Sequence, residues 1–278
     1  IVFSIDFTAW VHYNGHKEVD TMDFTGKTAV STGAASGMGL LFAQNFAALG
    51  GNVGLCDINE EVIREEAAKI NAAGGGKALA VRCDVRDYGD VCAARDAAVE
   101  AFGAIDVLVN FAGGTAVRMR KVDRQEYPEF PDVPIEVYDW GIDVNLKGAL
   151  YYDHVVMKQM VTQQNGVIIN LGSITGLDGA YDALAYSASK SALMNGVVKS
   201  LALDGAEYGV RACCIAPGPV LTRPNNANSR SLLGGPIQTQ EIVDMIIYLA
   251  SDKAASITGT TFLVDRGYTI QHSSRINR

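Results

Sequence analysis

Tyr186 and Lys190 lie four residues apart in the stretch Tyr-Ser-Ala-Ser-Lys, and this spacing is the most chemically informative feature of the chain. On a helix, side chains four residues apart share one face, with Cβ atoms about 5–6 Å apart. A phenol has an ordinary pKa of about 10, and a fixed ammonium group beside it lowers that pKa by favouring the phenolate. The pair predicts a tyrosine that exchanges protons near neutral pH, although a solvated helix face would show the same spacing.

Composition limits the classes of function. The 278 residues carry a net charge of −8, which disfavours nucleic acid or an anionic membrane as the main partner. No apolar run reaches the roughly 18 residues that a membrane span needs. Asp6 interrupts the first apolar stretch and no basic segment precedes it, so we expect no signal peptide. The five cysteines lack metal-ligand spacing, which predicts no metal site, buried reduced thiols and a cytoplasmic protein.

Residues 1–22 differ from the rest of the chain. Apolar residues alternate with polar ones from position 3 to position 13, as in a strand, and Asn14-Gly15 favours a type I′ turn. We therefore predict an N-terminal extension that forms a β-hairpin, with a disordered leader as the alternative. The remaining residues, 23–278, are predicted to form a single catalytic domain.

A glycine-rich stretch opens that domain. The short apolar strand 27–31 leads into residues 32–39, TGAASGMG, and then into a predicted helix, 40–49. Glycines at a strand-to-helix turn allow the backbone to approach a diphosphate, which the helix N-terminus then stabilises. A plain turn would look alike in isolation, but the strand before it and the helix after it favour a dinucleotide site.

The next predicted strand, 52–56, ends at Asp57. A carboxylate about 20 residues after such glycines accepts hydrogen bonds from both ribose hydroxyls and repels a 2′-phosphate. No Arg or Lys stands in 34–36 or directly after Asp57 to reverse that preference. The sequence predicts NAD rather than NADP, and helix capping is the alternative role for this carboxylate.

Strands and helices then alternate to the end of the chain. Further strands are predicted at 78–83, 105–109, 167–171, 210–215 and 261–264, and helices at 135–162, 184–208 and 241–250. This order predicts an α/β fold of the Rossmann type, a doubly wound parallel sheet of about seven strands with helices on both faces. Ligands bind such sheets at the carboxyl ends of the strands, where the polar motifs of this chain fall.

Along these elements the chain contains a series of ordered motifs: Thr32-Gly33-x3-Gly37-x-Gly39, Asp84, Asn110-Phe111-Ala112-Gly113, Asn145, Ser173, Tyr186-x3-Lys190, Pro217-Gly218 and Asp265-Arg266-Gly267. In their order and spacing the chain resembles the short-chain dehydrogenase/reductase family over about residues 24–268. The resemblance implies a catalytic tetrad of Asn145, Ser173, Tyr186 and Lys190. In it Tyr186 is the general acid/base, Ser173 hydrogen-bonds the reacting oxygen, Lys190 lowers the Tyr186 pKa and Asn145 holds a water of a proton relay.

The resemblance also implies the contacts of the cofactor. Lys190 and Tyr186 would lie at the nicotinamide ribose, and Asp84 and Val85 at the adenine. The remaining residues expected at the cofactor are Gly33, Ser36, Gly37, Met38, Gly39, Asp57, Ile58, Asn110, Ala112, Gly113, Pro217, Gly218, Val220 and Thr222. The family further implies a homodimer or homotetramer, which the apolar faces of the predicted helices favour.

Three features depart from the family pattern. Phe111 replaces a second Asn and Arg266 replaces a second Gly, while the segment between Thr222 and Gly234 looks short for a substrate lid. The loop 115–134 looks inserted and contains a basic stretch, with arginines at 118, 120 and 124 and a lysine at 121. It would contact an acidic substrate, or its charges would simply be solvated.

Together these features predict an NAD(H)-dependent oxidoreductase that interconverts a small-molecule secondary alcohol and a ketone by hydride transfer. A 3-oxoacyl-carrier reductase and a non-catalytic NAD-binding sensor or scaffold remain the alternatives. The sequence does not identify the alcohol, because the walls of a substrate pocket tolerate many shapes.

Overall fold

A computed structural model describes residues 22–123, 125–127, 129–222 and 231–270. The predicted hairpin of residues 1–22 lies outside this range apart from Met22. In the described part, one parallel sheet carries helices on both faces.

Seven strands form the sheet, in the spatial order β3-β2-β1-β4-β5-β6-β7, and every neighbouring pair is parallel. They are β1 (Thr28–Thr32), β2 (Asn52–Asp57), β3 (Ala78–Arg82), β4 (Val107–Asn110), β5 (Gly166–Leu171), β6 (Val210–Pro217) and β7 (Thr260–Val264). The order reverses between β1 and β4, which leaves a crevice at their carboxyl ends.

Helices connect the strands and cover both faces. They are α1 (Gly37–Ala48), α2 (Glu60–Ala73), α3 (Tyr88–Phe102), α4 (Ala116–Met119), α5 (Ile135–Ile142), α6 (Gly148–Gln163), α7 (Thr175–Asp178), α8 (Leu184–Ala192), α9 (Val198–Gly205) and α10 (Thr239–Ala250). Short 3-10 turns lie at Phe130–Asp132, Ala206–Tyr208 and Asp252–Ala254.

The central strands are buried on both sides. Every residue of β1, β4 and β5 is buried, as expected for strands that have a helical layer on each face. One apolar cluster, around Phe42 and Phe46, joins α1 and α10 to the sheet. A second, around Tyr152 and Met160, joins α3 and α6 to the other face. The two layers hold the carboxyl ends of the strands rigidly at one edge.

Two long helices each contain a wide turn. Residues Asp143–Lys147 form a π-turn between α5 and α6, where the Gly148 N–H donates to the Asp143 carbonyl five residues back. Residues Leu193–Val197 form another between α8 and α9. The predicted helices 135–162 and 184–208 are therefore continuous but not uniformly α-helical, and such turns are frequent at functional sites.

The predicted fold class is confirmed by this all-parallel, seven-stranded sheet with its surrounding helices. Across the described residues, no helix combines the length and the apolar character needed to cross a membrane.

Candidate active site

The glycine-rich turn follows β1 and lies at the crevice. Gly33 and Gly37 have φ of +66° and +59°, a region that favours glycine. A Cβ at Gly39 would lie 2.6 Å from the Gly33 carbonyl oxygen, so a side chain there would clash with the turn. Helix α1 then begins without a side-chain cap and without an acidic residue in its first turn. Its N–H groups and dipole are suited to an anion.

A cleft of about 670 Å³ opens above this turn. Twelve of the residues expected at the cofactor line it: Gly33, Ser36, Gly37, Met38, Gly39, Asp57, Ile58, Asp84, Val85, Ala112, Gly113 and Thr222. Most of the predicted dinucleotide set is therefore in one place. The lining also contains Arg86, Phe111, Met119, Arg120, Trp140 and Val144, which the sequence reasoning had not assigned to the cofactor.

Asp57 is held in a fixed orientation at the end of β2. One carboxylate oxygen accepts from the Ala35 N–H at 3.0 Å and the other from the Asn59 N–H at 2.9 Å. The residue therefore ties the glycine turn to the start of α2 while remaining on the cleft wall. Asn59 itself caps α2 by accepting from the Val62 N–H, so Asp57 is not needed as the helix cap.

Asp84 is ion-paired within the cleft. The Arg86 guanidinium donates to both of its carboxylate oxygens, through Nε at 2.9 Å to one of them. Hydrogen bonding from Arg86 is the main cause that lowers the Asp84 pKa below its usual value. Asp84 is thus ionised near neutral pH, and the Arg86 guanidinium is engaged in this ion pair.

The Asn145 side chain lies in the π-turn between α5 and α6 and is 1% exposed. Its Nδ2 donates to the Gly114 carbonyl at 2.9 Å and to the Gly141 carbonyl at 2.8 Å, and its Oδ1 accepts from the Gly114 N–H at 2.8 Å. This amide therefore fixes the loop that leaves β4. Both of its donors are used, so any water at Asn145 would have to bind Oδ1 or the main chain.

Lys190 is buried beside the tyrosine. Its Nζ donates to the Leu171 carbonyl at 2.6 Å and lies 5.5 Å from the centroid of the Tyr186 ring. Burial lowers the pKa of Lys190 to about 8. A Cβ placed on Gly113 would lie 3.6 Å from this Nζ and 2.5 Å from Asn145 Oδ1. Lys190, Asn145 and Gly113 are thus immediate neighbours, and Tyr186 is half-buried next to them.

Ser173 follows β5 and is 8% exposed. Its Oγ accepts from the Thr175 hydroxyl at 3.0 Å and from the Thr175 N–H at 3.3 Å. Ser173 stands two residues after Leu171, the residue that holds Lys190. The end of β5 and the start of α8 therefore present the predicted serine, tyrosine and lysine on one side of the sheet edge.

Asn110 lies behind the cleft rather than in its wall. Its Nδ2 donates to Asp153 Oδ1 at 2.9 Å and to Asn170 Oδ1 at 2.8 Å, while Asn170 Nδ2 donates to Asp153 Oδ2 at 3.0 Å. All three side chains are buried, and burial raises the Asp153 pKa to about 7. The sequence reasoning missed this network, although an aspartate inside an apolar helix was a signal for it.

The loop after β6 also lies outside the cleft except at its end. Pro217, Gly218 and Val220 do not line the cleft, whereas Thr222 does. A Cβ at Gly218 would lie 2.9 Å from Asp265 Cβ, so this glycine permits close packing after β7. Val220 is buried and pairs with Ile237. The short segment after Thr222 falls largely in residues 223–230, outside the described range.

Both substituted motif residues have structural roles. Phe111 packs against Phe42, with ring centroids 5.7 Å apart, and so joins the loop after β4 to α1. Arg266 adopts φ +52°; its guanidinium pairs with Glu241 at 2.7 Å and donates to the Gly234 carbonyl at 2.7 Å. Each replacement therefore makes contacts that the family's usual Asn or Gly could not make.

Comparisons with known proteins agree with this geometry. A family model described as Enoyl-(Acyl carrier protein) reductase matches residues 33–269. The chain is 35% identical to a 2-(R)-hydroxypropyl-CoM dehydrogenase of Xanthobacter autotrophicus, over 87% of this chain and 98% of that protein. It is 37% identical to a trans-4-hydroxycyclohexanecarboxylate dehydrogenase of Sinomonas cyclohexanicum, over 90% of this chain and 95% of that protein. A D-threitol dehydrogenase of Mycolicibacterium smegmatis is 33% identical, over 88% and 94%.

The chain belongs to the short-chain dehydrogenase/reductase family. It is an oxidoreductase of the alcohol–ketone class, and the dehydrogenases of this family use nicotinamide cofactors. No group of three or more potential metal ligands occurs among the described residues.

Proposed function

We propose that this protein is an NAD(H)-dependent dehydrogenase in which Tyr186 acts as general acid/base on a small secondary alcohol or its ketone. One observation carries the proposal: a buried lysine ammonium lies 5.5 Å from the centroid of the Tyr186 ring and next to Gly113, which lines the cleft above the glycine turn. A desolvated cation so close to a phenol favours the phenolate.

Each member of the tetrad has a defined task. During oxidation the Tyr186 oxygen takes the hydroxyl proton of the alcohol, and during reduction it returns a proton to the carbonyl oxygen. The Ser173 hydroxyl hydrogen-bonds the reacting oxygen where charge develops. Lys190 stabilises the phenolate, and Asn145 holds the Gly113–Gly114 loop beside them. The nicotinamide, when bound, supplies or accepts the hydride.

Asp57 supports NAD over NADP. Its carboxylate lies on the cleft wall at the carboxyl end of β2, where it would accept hydrogen bonds from the adenosine ribose. The cations nearest to this end are paired elsewhere, Arg86 with Asp84 and Arg82 with Asp90. A 2′-phosphate would therefore meet a carboxylate whose two neighbouring arginines, Arg82 and Arg86, are already ion-paired.

The substrate class follows from the reaction and the relatives. The names of three relatives contain hydroxypropyl, hydroxycyclohexanecarboxylate and threitol, all compounds with a hydroxyl group. Tyr181 and Leu184, in the segment between Ser173 and Tyr186, are exposed. We infer a small hydroxylated compound, such as a hydroxy acid, a polyol or a cyclic alcohol.

Cellular location and assembly belong to the same proposal. The five free cysteines, four of them buried, support a reducing compartment such as the cytoplasm. Leu150 on α6 and Leu203 on α9 are exposed apolar residues on long helices, which supports a homodimer or homotetramer. Light scattering of the purified protein measures the assembly directly.

Turnover assays test the function. NADH absorbance would be followed with NAD⁺ or NADP⁺ and a panel of hydroxy acids, polyols, cyclic alcohols and steroids. The Tyr186→Phe variant is expected to lose turnover by about 10²–10⁴-fold while its NADH binding stays unchanged. Unchanged turnover would refute the role of Tyr186. Binding of NADH without turnover of any alcohol would favour a sensor or scaffold.

A second candidate reaction has its own observation. The matching family model is described by an acyl-carrier-protein substrate, so reduction of a 3-oxoacyl thioester belongs in the panel. Asp57 disfavours the NADPH that such reductases usually take. Faster turnover of a 3-oxoacyl thioester with NADPH than of any alcohol with NAD⁺ would select this second reaction.

A further inference from the structure

The inserted loop 115–134 is packed against the protein in its described parts. Ala116 and Val117 of α4 are buried in a small apolar cluster with Val133, Val137 and Tyr138. The Arg120 N–H then donates to the Ala116 carbonyl at 2.8 Å, and the Val122 N–H donates to the Val117 carbonyl at 2.9 Å. The backbone at Arg120 is therefore fixed by α4 and by the contacts beneath it.

The basic residues of this loop point to different places. Arg120 lines the dinucleotide cleft, together with the glycine turn and Asp57. The Arg118 guanidinium lies at Gly114, with Nη2 2.9 Å from the point where a Cβ would stand. Lys121 is exposed and does not line the cleft. A loop that has four basic and four acidic residues in sequence thus directs one particular cation into the cofactor site.

Trp140 orients Arg120. The guanidinium carbon lies 6.0 Å from the centroid of the Trp140 ring, and Trp140 lines the same cleft from α5. Such cation–π contact holds the plane of a guanidinium while leaving its N–H groups available. Arg120 therefore presents hydrogen-bond donors towards the cleft at a reduced entropic cost.

The charges in the cleft leave Arg120 available for an anion. The charged residues in its lining are Asp57, Asp84, Arg86 and Arg120. Asp84 and Arg86 pair with each other. No carboxylate in the described part of the chain lies within ion-pair distance of Arg120. Because the whole chain carries a net charge of −8, an anionic ligand depends on such local positive charge.

We propose that Arg120 binds the diphosphate of the dinucleotide from the cleft wall that α4 and α5 form, while the glycine turn binds it from the other side. This inference rests on the proposed function, because it assumes that the cleft holds a nicotinamide dinucleotide. A diphosphate carries two negative charges, and a guanidinium matches its oxygens with paired donors. The inserted loop thus contributes to cofactor affinity, in place of the contact with an acidic substrate that its sequence alone would allow.

The test compares Arg120→Gln with Lys121→Gln, which removes the same charge one residue away. NADH fluorescence titration and calorimetry with ADP-ribose and adenosine would be run on both variants and on the parent protein. We expect Arg120→Gln to weaken NADH and ADP-ribose by about 10-fold or more, because a charge-assisted bond to phosphate is lost. Adenosine, which has no phosphate, should bind all three proteins equally, and Lys121→Gln should stay within about twofold of the parent.

Other outcomes overturn the inference. Equal NADH and ADP-ribose affinities in Arg120→Gln and the parent protein would remove Arg120 from the diphosphate site. An equal loss of NADH and ADP-ribose affinity in Arg120→Gln and Lys121→Gln would show that the overall charge of the loop, and not a contact of Arg120, affects binding. Unchanged NADH binding with a raised KM for a hydroxy acid would show that Arg120 contacts the substrate and not the diphosphate. If the parent protein binds neither NADH nor NADPH, the proposed function fails first and this inference fails with it.

Discussion

Asn145 bonds both main-chain polar groups of Gly114, accepting from its N–H and donating to its carbonyl. A single buried amide thus joins the helix that contains the π-turn to the loop leaving β4. The position of this loop therefore depends on Asn145, the side chain to which the family resemblance assigns the water of a proton relay.

Replacing Asn145 by Ala should therefore loosen the loop as well as slow the reaction. Three hydrogen bonds are lost and the buried Gly114 groups remain unpaired, which costs about 1–3 kcal/mol each. We expect a lower melting temperature, weaker NADH binding and turnover reduced by about 10²-fold or more. Asn195→Ala is the control, since Asn195 lies in the other π-turn but is exposed, and among the described residues its side chain bonds only the Ser191 carbonyl. Equal losses in both variants would contradict the special role of Asn145.

Gly113→Ala should disrupt the catalytic centre by contact alone. The new methyl group would lie 2.5 Å from Asn145 Oδ1 and 3.6 Å from Lys190 Nζ. Because both neighbours are buried, we expect lower turnover, a weaker affinity for the cofactor and reduced stability. The comparison is Gly196→Ala in the second π-turn, where a Cβ meets nothing within 4 Å and the helix gains stability. Steady-state kinetics and thermal melting measure both variants; a fully active Gly113→Ala protein would contradict the geometry.

Lys190 makes stability depend on pH in a predictable direction. Burial lowers its pKa from the ordinary 10.5 to about 8, so between these values the unfolded chain binds more protons than the folded one. Stability due to this group is lowest below pH 8 and rises towards pH 10.5, by an amount on the order of 3 kcal/mol. Urea unfolding of the cofactor-free protein should show the parent gaining stability relative to Lys190→Met across this window. A flat difference between the parent and Lys190→Met across this window would contradict the prediction.

Asp57→Ser should shift the preference between the two dinucleotides. The substitution removes a carboxylate that would repel a 2′-phosphate, so we expect NADH affinity to fall about 10-fold and the NADPH affinity to rise. It also removes acceptors for the Ala35 and Asn59 N–H groups, so a modest loss of stability is expected. Fluorescence titration with each cofactor measures the ratio. An unchanged ratio of the two affinities would mean that another group selects the cofactor.

Asp153→Asn should destabilise the buried network of Asp153, Asn110 and Asn170 behind the cleft. Both carboxylate oxygens accept from amide groups, so an Asn would place one of its own N–H donors against Asn110 or Asn170. Leaving buried polar groups unpaired costs about 1–3 kcal/mol each, and we expect a lower unfolding midpoint in urea. Because Asn170 precedes the residue that holds Lys190, turnover should fall as well. Retention of full stability would show that the network tolerates two facing donors.

The same substitution tests the pH dependence of the network. Burial raises the Asp153 pKa to about 7, so the folded protein binds its proton more tightly than the unfolded chain does between pH 4 and pH 7. Stability due to this group therefore falls as pH rises through that window. Asp153→Asn removes the titration, so the stability difference between variant and parent should change with pH there; a constant difference would contradict the assignment.

Much of this structure could be predicted from the sequence because the local signals agree with one another. Apolar runs between turn residues located the seven strands, and the glycines with a following carboxylate lie together in one cleft, as predicted for a dinucleotide site. The predicted Tyr186 and Lys190 neighbourhood was also found, since a spacing of four on a helix fixes it. These features depend on residues close together in the chain.

The features that escaped prediction depend on distant contacts. Side-chain periodicity does not distinguish a π-turn from the α-helix around it, so the widened turn at Asn145 was not predicted. Asp153 bonds Asn110, which lies 43 positions earlier in the chain, and Asn170, which lies 17 positions later. The direction of Arg120 depends on the packing of α4 and on Trp140, neither of which its neighbours in sequence specify.

The two π-turns have a consequence for protein engineering. Each residue advances a helix by about 100°, so a turn that contains one extra residue changes the angular phase of everything that follows it. Deleting a single residue within 143–147 would allow a uniform α-helix, and it would remove or displace the Asn145 amide that bonds Gly114. A scaffold with regular helices would therefore not reproduce the position of Asn145, because the wide turn presents this amide to the loop after β4.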